Sequence, residues 1–134
     1  MSVKTQSGAH SKHILTYHLM WVVKYRRTVI TREVAARMKE LISQIGTELG
    51  CEVIAVEDDV NHIHVLIRLK PTDTLSKVIQ FLKGRTAYML FREFPWLKNR
   101  LWGGHLWSPS YYVVTTGGAT IETVKKYIES QHDR

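Results

Sequence analysis

Residues 61–69 read Asn61-His62-Ile63-His64-Val65-Leu66-Ile67-Arg68-Leu69, and their alternation sets the fold. Successive side chains of a strand point to opposite faces. Ile63, Val65, Ile67 and Leu69 therefore share one face, and His62 and His64 share the other. The apolar face belongs against a helix-covered core. The opposite face carries two imidazoles side by side, placed to bind one ion, and is expected to be open to ligands.

Upstream of this strand, Cys51 to Glu57 has a strand pattern. The acidic run Glu57-Asp58-Asp59 reads as a tight polar connection, which predicts an antiparallel hairpin with residues 61–69. Before it, Thr31 is placed to cap a helix reaching Leu49, whose apolar stripe is Val34, Met38, Leu41, Ile42, Ile45 and Leu49. Gly50 stands where such a helix stops. Earlier still, His13 to Tyr25 alternates as a strand. Leu15, Tyr17, Leu19, Trp21 and Val23 fall on one face, and Ile14, Thr16, His18, Met20 and Val22 on the other.

Downstream, Pro71 breaks the pattern. Asp73 or Thr74 caps a second helix through Leu75, Val78, Ile79 and Leu82 toward Phe91, ended by Pro95. Gly84 within it marks a kink or a close contact. A Trp- and Gly-rich loop follows, then a strand from Tyr111 to Thr115, the joint Gly117-Gly118, and a last helix from Thr120 to Gln131. The order predicts an α+β, ferredoxin-like (RRM-like) βαββαβ antiparallel sheet with helices on one face, plus a C-terminal helix. Residues 1–12 read as a flexible tail and 13–134 as one domain.

With 134 residues, 44% of them apolar, the chain can bury a single core. Its net charge of +7 points to a polyanionic partner. No apolar run approaches the roughly 18 residues of a spanning helix, and residues 1–12 lack the apolar stretch of a signal peptide. A cytoplasmic protein that binds nucleic acid, not membrane, is expected. Cys51 is the sole cysteine, so an internal disulfide is excluded and a structural zinc site is disfavoured.

Two imidazoles alone fit either a metal site or a chance pairing among the seven histidines of the chain. A metal site needs a third ligand, and its chemistry would indicate the metal: carboxylate or amide oxygen for Mg²⁺ or Mn²⁺, thiolate for zinc. On the last helix Tyr127 and Gln131 are four apart and share one side. By periodicity Tyr127 borders the stripe Ile121, Val124 and Ile128 and fits ordinary packing. Lys125 and Lys126 beside it are either a solvated face or cations that help a phenol ionise.

Four segments taken in order resemble a known family. They are His18-Leu19-Met20-Trp21-Val22-Val23-Lys24-Tyr25-Arg26-Arg27, Asn61-His62-Ile63-His64, Trp107-Ser108-Pro109-Ser110-Tyr111-Tyr112-Val113, and Tyr127-Ile128-Glu129-Ser130-Gln131. Together they look like the single-tyrosine HUH transposases of the insertion-sequence 200/605 group. The resemblance implies that His62, His64 and Gln131 hold Mg²⁺ or Mn²⁺, and that Tyr127 on the C-terminal helix is the catalytic nucleophile. It implies cleavage and rejoining of single-stranded DNA with hairpin ends through a 5′-phosphotyrosine. It also implies a homodimer in which each tyrosine helix completes the partner's His pair, and Gly117-Gly118 would let that helix swing.

Arg26, Arg27, Lys83, Arg85, Arg92, Lys125 and Lys126 are the candidate DNA contacts, each equally readable as a surface charge. His18 reads as a structural histidine, and Glu57, Asp58 and Asp59 as turn residues. The main alternative is a non-catalytic single-stranded nucleic-acid-binding module on the same scaffold, which predicts aromatic residues on the central strands for stacking bases. A regulatory domain leaves the positive charge unexplained, and other HUH nicking enzymes usually have longer chains.

Overall fold

The structure is a computed structural model that describes residues 6–8, 11–13, 15–24, 29–59, 61–115 and 126. Two short strands, β1 (Gln6–Gly8) and β2 (Ser11–His13), pair antiparallel in register Gln6↔His13. The tail expected over residues 1–12 therefore contains a small ladder. It is held by backbone pairing, which leaves no apolar periodicity to read.

The main sheet contains β3 (Leu15–Val22), β4 (Glu52–Asp59), β5 (His62–Leu69) and β6 (Tyr112–Thr115) in the order β4-β5-β3-β6. All three pairings are antiparallel. Helices α1 (Arg32–Glu48) and α2 (Leu75–Glu93) connect β3 to β4 and β5 to β6. This is the expected ferredoxin-like architecture. The terminal helix expected over residues 120–131 lies outside the described residues except at Lys126, which is helical and exposed.

One sheet face meets both helices. Leu19 and Trp21 of β3 and Ile63, Val65, Ile67 and Leu69 of β5 pack with Val34, Met38, Leu41, Ile42 and Ile45 of α1, and with Val78, Ile79, Leu82 and Leu90 of α2. Each strand contributes its alternate apolar residues, as the pattern predicts. Thr31 caps α1 by accepting a hydrogen bond from Val34 N at 3.1 Å. Gly50, at φ +83°, ends the helix in the left-handed conformation that a side chain disfavours. Gly46 has a different role: a Cβ there would overlap the Val53 side chain, so its absence lets α1 lie close against β4.

α2 starts after Thr74, which makes no side-chain cap. Asp73 instead accepts from Lys70 N at 2.9 Å and tightens the turn before the helix. Gly84 faces open space within a helix that runs on to Glu93, so no close contact accounts for it. Arg37 of α1 makes a two-pronged ion pair with Glu93 at the end of α2 (2.6 and 3.0 Å), which holds the Glu93 carboxyl below its ordinary pKa. A five-residue helix α3 (Trp96–Arg100) occupies part of the segment that reads as loop.

β4 continues through the acidic run that reads as a turn. Asp58 points to the helix side and pairs with Lys39 of α1 at 2.8 Å. Asp59 lies opposite His62 and Glu57 opposite His64 in the ladder. Strand pairing and that ion pair satisfy groups which, in the sequence, look like turn formers.

Candidate functional site

His62 and His64 sit on β5, a central strand bonded on both sides, and face away from the helices. The register builds rows across the sheet. Tyr112, Met20, His64 and Glu57 form one; Val22, His62 and Asp59 form the next; Val114, His18, Leu66 and Ala55 lie on the other side of the first. The end of the sheet that carries His62 is tied down by backbone bonds. Val23 N donates to Asn61 O at 2.9 Å, Lys24 N to Leu106 O at 2.8 Å, and Ser108 N to Val22 O at 2.9 Å.

The face is not the open surface expected from the alternation. His64 is 1% exposed, His18 0%, Met20 1% and Leu66 5%, while His62 is half-buried. The pair is therefore stepped in depth, with His62 nearer to solvent than His64.

His18, expected as a structural histidine, is the residue against His64. The two lie diagonally across the β3–β5 ladder, a separation that long side chains bridge. His18 Nε2 is 3.1 Å from His64 Nδ1, and the rings meet edge to face at 65° with centroids 5.2 Å apart. The Nδ1 edge of His64 is thus turned toward β3, so Nε2 is the nitrogen that would ligate a metal. The sequence carries a signal for this neighbourhood, because His18 falls on the same predicted face as Met20. Only the register, however, brings it beside His64.

The donor set fits a divalent ion in part. Two imidazoles two residues apart on a rigid strand can share an ion, but among the described residues no group of three His, Cys, Asp or Glu could hold one. A further donor has to come from elsewhere. Cys51 cannot supply it, because it precedes β4 at the end of the sheet opposite Asp59 and His62. Its buried thiol faces Asp73 at 3.9 Å. Gln131 and Tyr127 lie outside the described residues, as do Arg26, Arg27, Lys125 and Gly117-Gly118.

The remaining basic candidates divide. The Lys83 ammonium donates to Ser108 O at 2.7 Å and Ser110 O at 3.3 Å, and burial lowers its pKa. Trp107 Nε1 in turn donates to Lys83 O at 3.1 Å. Lys83 is therefore a brace for the 107–110 segment. Two of its three protons go to carbonyls inside the protein, which gives it a bracing role beside the phosphate contact expected of it. Arg85 and Arg92 are exposed on α2, each over an aromatic ring four residues earlier: Arg85 over Phe81 at 5.8 Å and Arg92 over Tyr88 at 5.6 Å. Trp96 and Arg100 repeat the pairing at 5.9 Å. Phe81 is 43% and Tyr88 56% exposed, so rings and cations together form a surface stripe. The i, i+4 spacing of aromatic and basic residues is readable in the sequence, yet only its basic half stands among the candidates. The stripe and the His pair do not meet, because α2 covers the sheet face opposite His62 and His64.

Residues 11–131 match the model of a family described as IS200-like transposases. The chain belongs to that family. Along its whole length it is 39% identical to the ISDra2 transposase TnpA of Deinococcus radiodurans, covering 96% of that protein. It is 28% identical over 126 residues to a transposase for insertion sequence element IS200 of Salmonella typhimurium, covering 94% of this chain and 82% of that one. Among solved structures, a putative transposase from Deinococcus radiodurans superposes with TM-score 0.79 at 37% identity, covering 94% of this chain and 97% of that one. A REP-associated tyrosine transposase bound to a REP hairpin has TM-score 0.58 at 12% identity, with 95% and 66% covered, which shows shared fold. Membership of this transposase family gives DNA cleavage and transfer as the general activity. Among the described residues no helix is long and apolar enough to cross a membrane.

Proposed function

We propose that this IS200-like transposase cuts and rejoins single-stranded DNA at the ends of an insertion sequence, with Tyr127 as nucleophile and His62, His64 and Gln131 as ligands of Mg²⁺ or Mn²⁺. The observation that carries the reading is the His62–His64 pair, held on a central strand and facing away from the core, with the Nδ1 edge of His64 turned to His18. When bound, the metal ion supplies charge that polarises the target phosphate.

The chain's own chemistry is a phosphodiester exchange. The Tyr127 oxygen attacks the phosphorus, the bond to the 3′ oxygen breaks, and that oxygen leaves as a 3′-OH. The 5′ end stays on Tyr127 as a phosphotyrosine. A second 3′-OH then attacks the phosphorus and releases the tyrosine. One phosphodiester is consumed and one is made, so no ATP is needed.

The proposed DNA partner carries hairpin ends. The REP-hairpin complex on the same fold supports this choice, as does the net charge of +7. The exposed stripe of Phe81, Arg85, Tyr88 and Arg92 offers cations for phosphates and rings for unpaired bases. We take the working form to be a homodimer with sites completed in trans. A purely binding module is less well supported. On the face away from the helices, β3 and β5 carry Thr16, His18, Met20, Val22, His62, His64, Leu66 and Arg68, with no aromatic platform for bases among these described residues.

The test is incubation of the protein with labelled single-stranded element ends and Mg²⁺ or Mn²⁺. A protein–DNA adduct that resists denaturation is expected, and it should vanish in Tyr127→Phe and under chelation. An adduct that persists in Tyr127→Phe rules out this nucleophile.

A further inference from the structure

We infer that His18 is a positioning residue, which accepts the Nδ1 proton of His64 and so holds that ring in the one tautomer able to ligate a metal through Nε2. This rests on the metal reading above and adds to it a residue outside the proposed ligand set.

The geometry limits the possibilities. His18 Nε2 and His64 Nδ1 are 3.1 Å apart, and both rings are buried on the sheet face away from the helices. A hydrogen bond between ring nitrogens needs one donor and one acceptor, so a neutral pair has only two proton placements. In the first, His18 donates; neutral His64 then carries its proton on Nε2 and presents no lone pair there. In the second, His64 donates from Nδ1, and Nε2 holds the lone pair that a metal requires. His64 can be a ligand through Nε2 only in the second. His18 then accepts at Nε2 and carries its own proton on Nδ1.

Ligating histidines commonly donate their other ring N–H to a carboxylate, a carbonyl or water, and this contact fixes both tautomer and ring plane. Here a second imidazole fills that role. The edge-to-face packing at 65° also keeps the His64 ring from turning about its χ2. The row through Met20, buried at 1%, backs His64 from the β3 side, so a mis-set ring has little room to correct itself.

Two measurements on the full chain test this. In metal-free protein, nitrogen-15 NMR of the histidine rings reports which nitrogen bears the proton. Neutral His64 is expected with its proton on Nδ1, and a proton on Nε2 overturns the inference. Second, Mn²⁺ affinity is read by calorimetry and electron paramagnetic resonance for wild type, His18→Phe and His18→Gln. His18→Phe keeps a flat ring but accepts no hydrogen bond, and should weaken binding by roughly 10- to 100-fold. His18→Gln restores an acceptor near the Nε2 position and should recover most of that affinity. A merely structural role predicts no such rescue. Wild type that binds no Mn²⁺ overturns both the metal reading and this inference. Mn²⁺ binding that is equal in wild type and folded His18→Phe overturns this inference alone. If His18→Phe does not fold, the wild-type tautomer decides.

Discussion

Lys83 and Trp107 secure each other across 24 residues of chain. The Trp107 indole donates to Lys83 O at 3.1 Å, and the Lys83 ammonium reaches past it to Ser108 O at 2.7 Å. Trp107 also bridges to Val23 and packs edge to face on Trp21. The segment leading into β6 is thereby fixed to both α2 and β3.

Lys83→Met keeps the aliphatic stem and removes the ammonium. It should lower unfolding stability by about 1.5–3 kcal/mol, the range for hydrogen bonds to a charged group, measured by urea titration. Its salt dependence of DNA binding should match wild type. A flatter salt dependence would instead identify Lys83 as a phosphate contact.

Arg85→Ala and Arg92→Ala should behave in the opposite way. Both side chains are exposed, so stability should change by less than about 0.5 kcal/mol. Removing one cation from a phosphate should reduce the slope of log K against log salt by about 0.7 where it contacts single strand and about 0.9 where it contacts a duplex stem. Binding isotherms of a hairpin-ended oligonucleotide at several salt concentrations measure this.

Mixing two inactive variants tests whether sites form in trans. Tyr127→Phe keeps the His pair and His64→Ala keeps the tyrosine. In a trans arrangement each mixed dimer contains one intact site, so the covalent DNA adduct should reappear on mixing. In a cis arrangement the mixture stays inactive.

Gly46→Ala places a methyl group where the Val53 side chain lies. The clash should cost about 1–3 kcal/mol and lower the melting temperature. Pairing it with Val53→Ala, which removes the opposing methyl groups, should recover part of that stability.

Cys51 gives a pH-dependent expectation. Burial, followed by the Asp73 charge, raises its pKa above the ordinary value of 9.0. The unfolded chain then loses its thiol proton first as pH rises, so this group's share of stability is complete below pH 9.0 and declines above it. A thiol reagent at pH 8 should label the folded protein more slowly than the urea-unfolded one.

The fold is legible because its signals are local. The alternation of Ile63, Val65 and Ile67 and the stripe from Val34 to Ile45 each need only a short window, and turn residues such as Gly50 mark the boundaries. The His62–His64 pair is legible for the same reason, since both residues lie on one strand. What escapes depends on partners distant in sequence. His18 meets His64 across 46 residues, through a register that no window contains. Glu57-Asp58-Asp59 looks like a turn because Lys39 and the β5 ladder, which make those acids acceptable in a strand, lie elsewhere. Lys83 looks like a surface cation because its carbonyl partners come from a loop without periodicity. The exposed pairs on α2 are in plain view at i, i+4, but a search for core stripes passes over solvent-facing rings.

The helices pack on the sheet face opposite His62 and His64, so the Arg85–Arg92 stripe and the imidazoles look out in different directions. A helix layer alone is about 10 Å thick. A polymer touching both surfaces must go around the rim of the sheet, which a flexible strand can do and a short rigid rod cannot. Under the proposed function, holding and cutting are separate duties with a dry core between them. A lineage could retune the stripe while leaving the imidazoles untouched, since Phe81, Arg85, Tyr88 and Arg92 all stand exposed on the solvent side of α2.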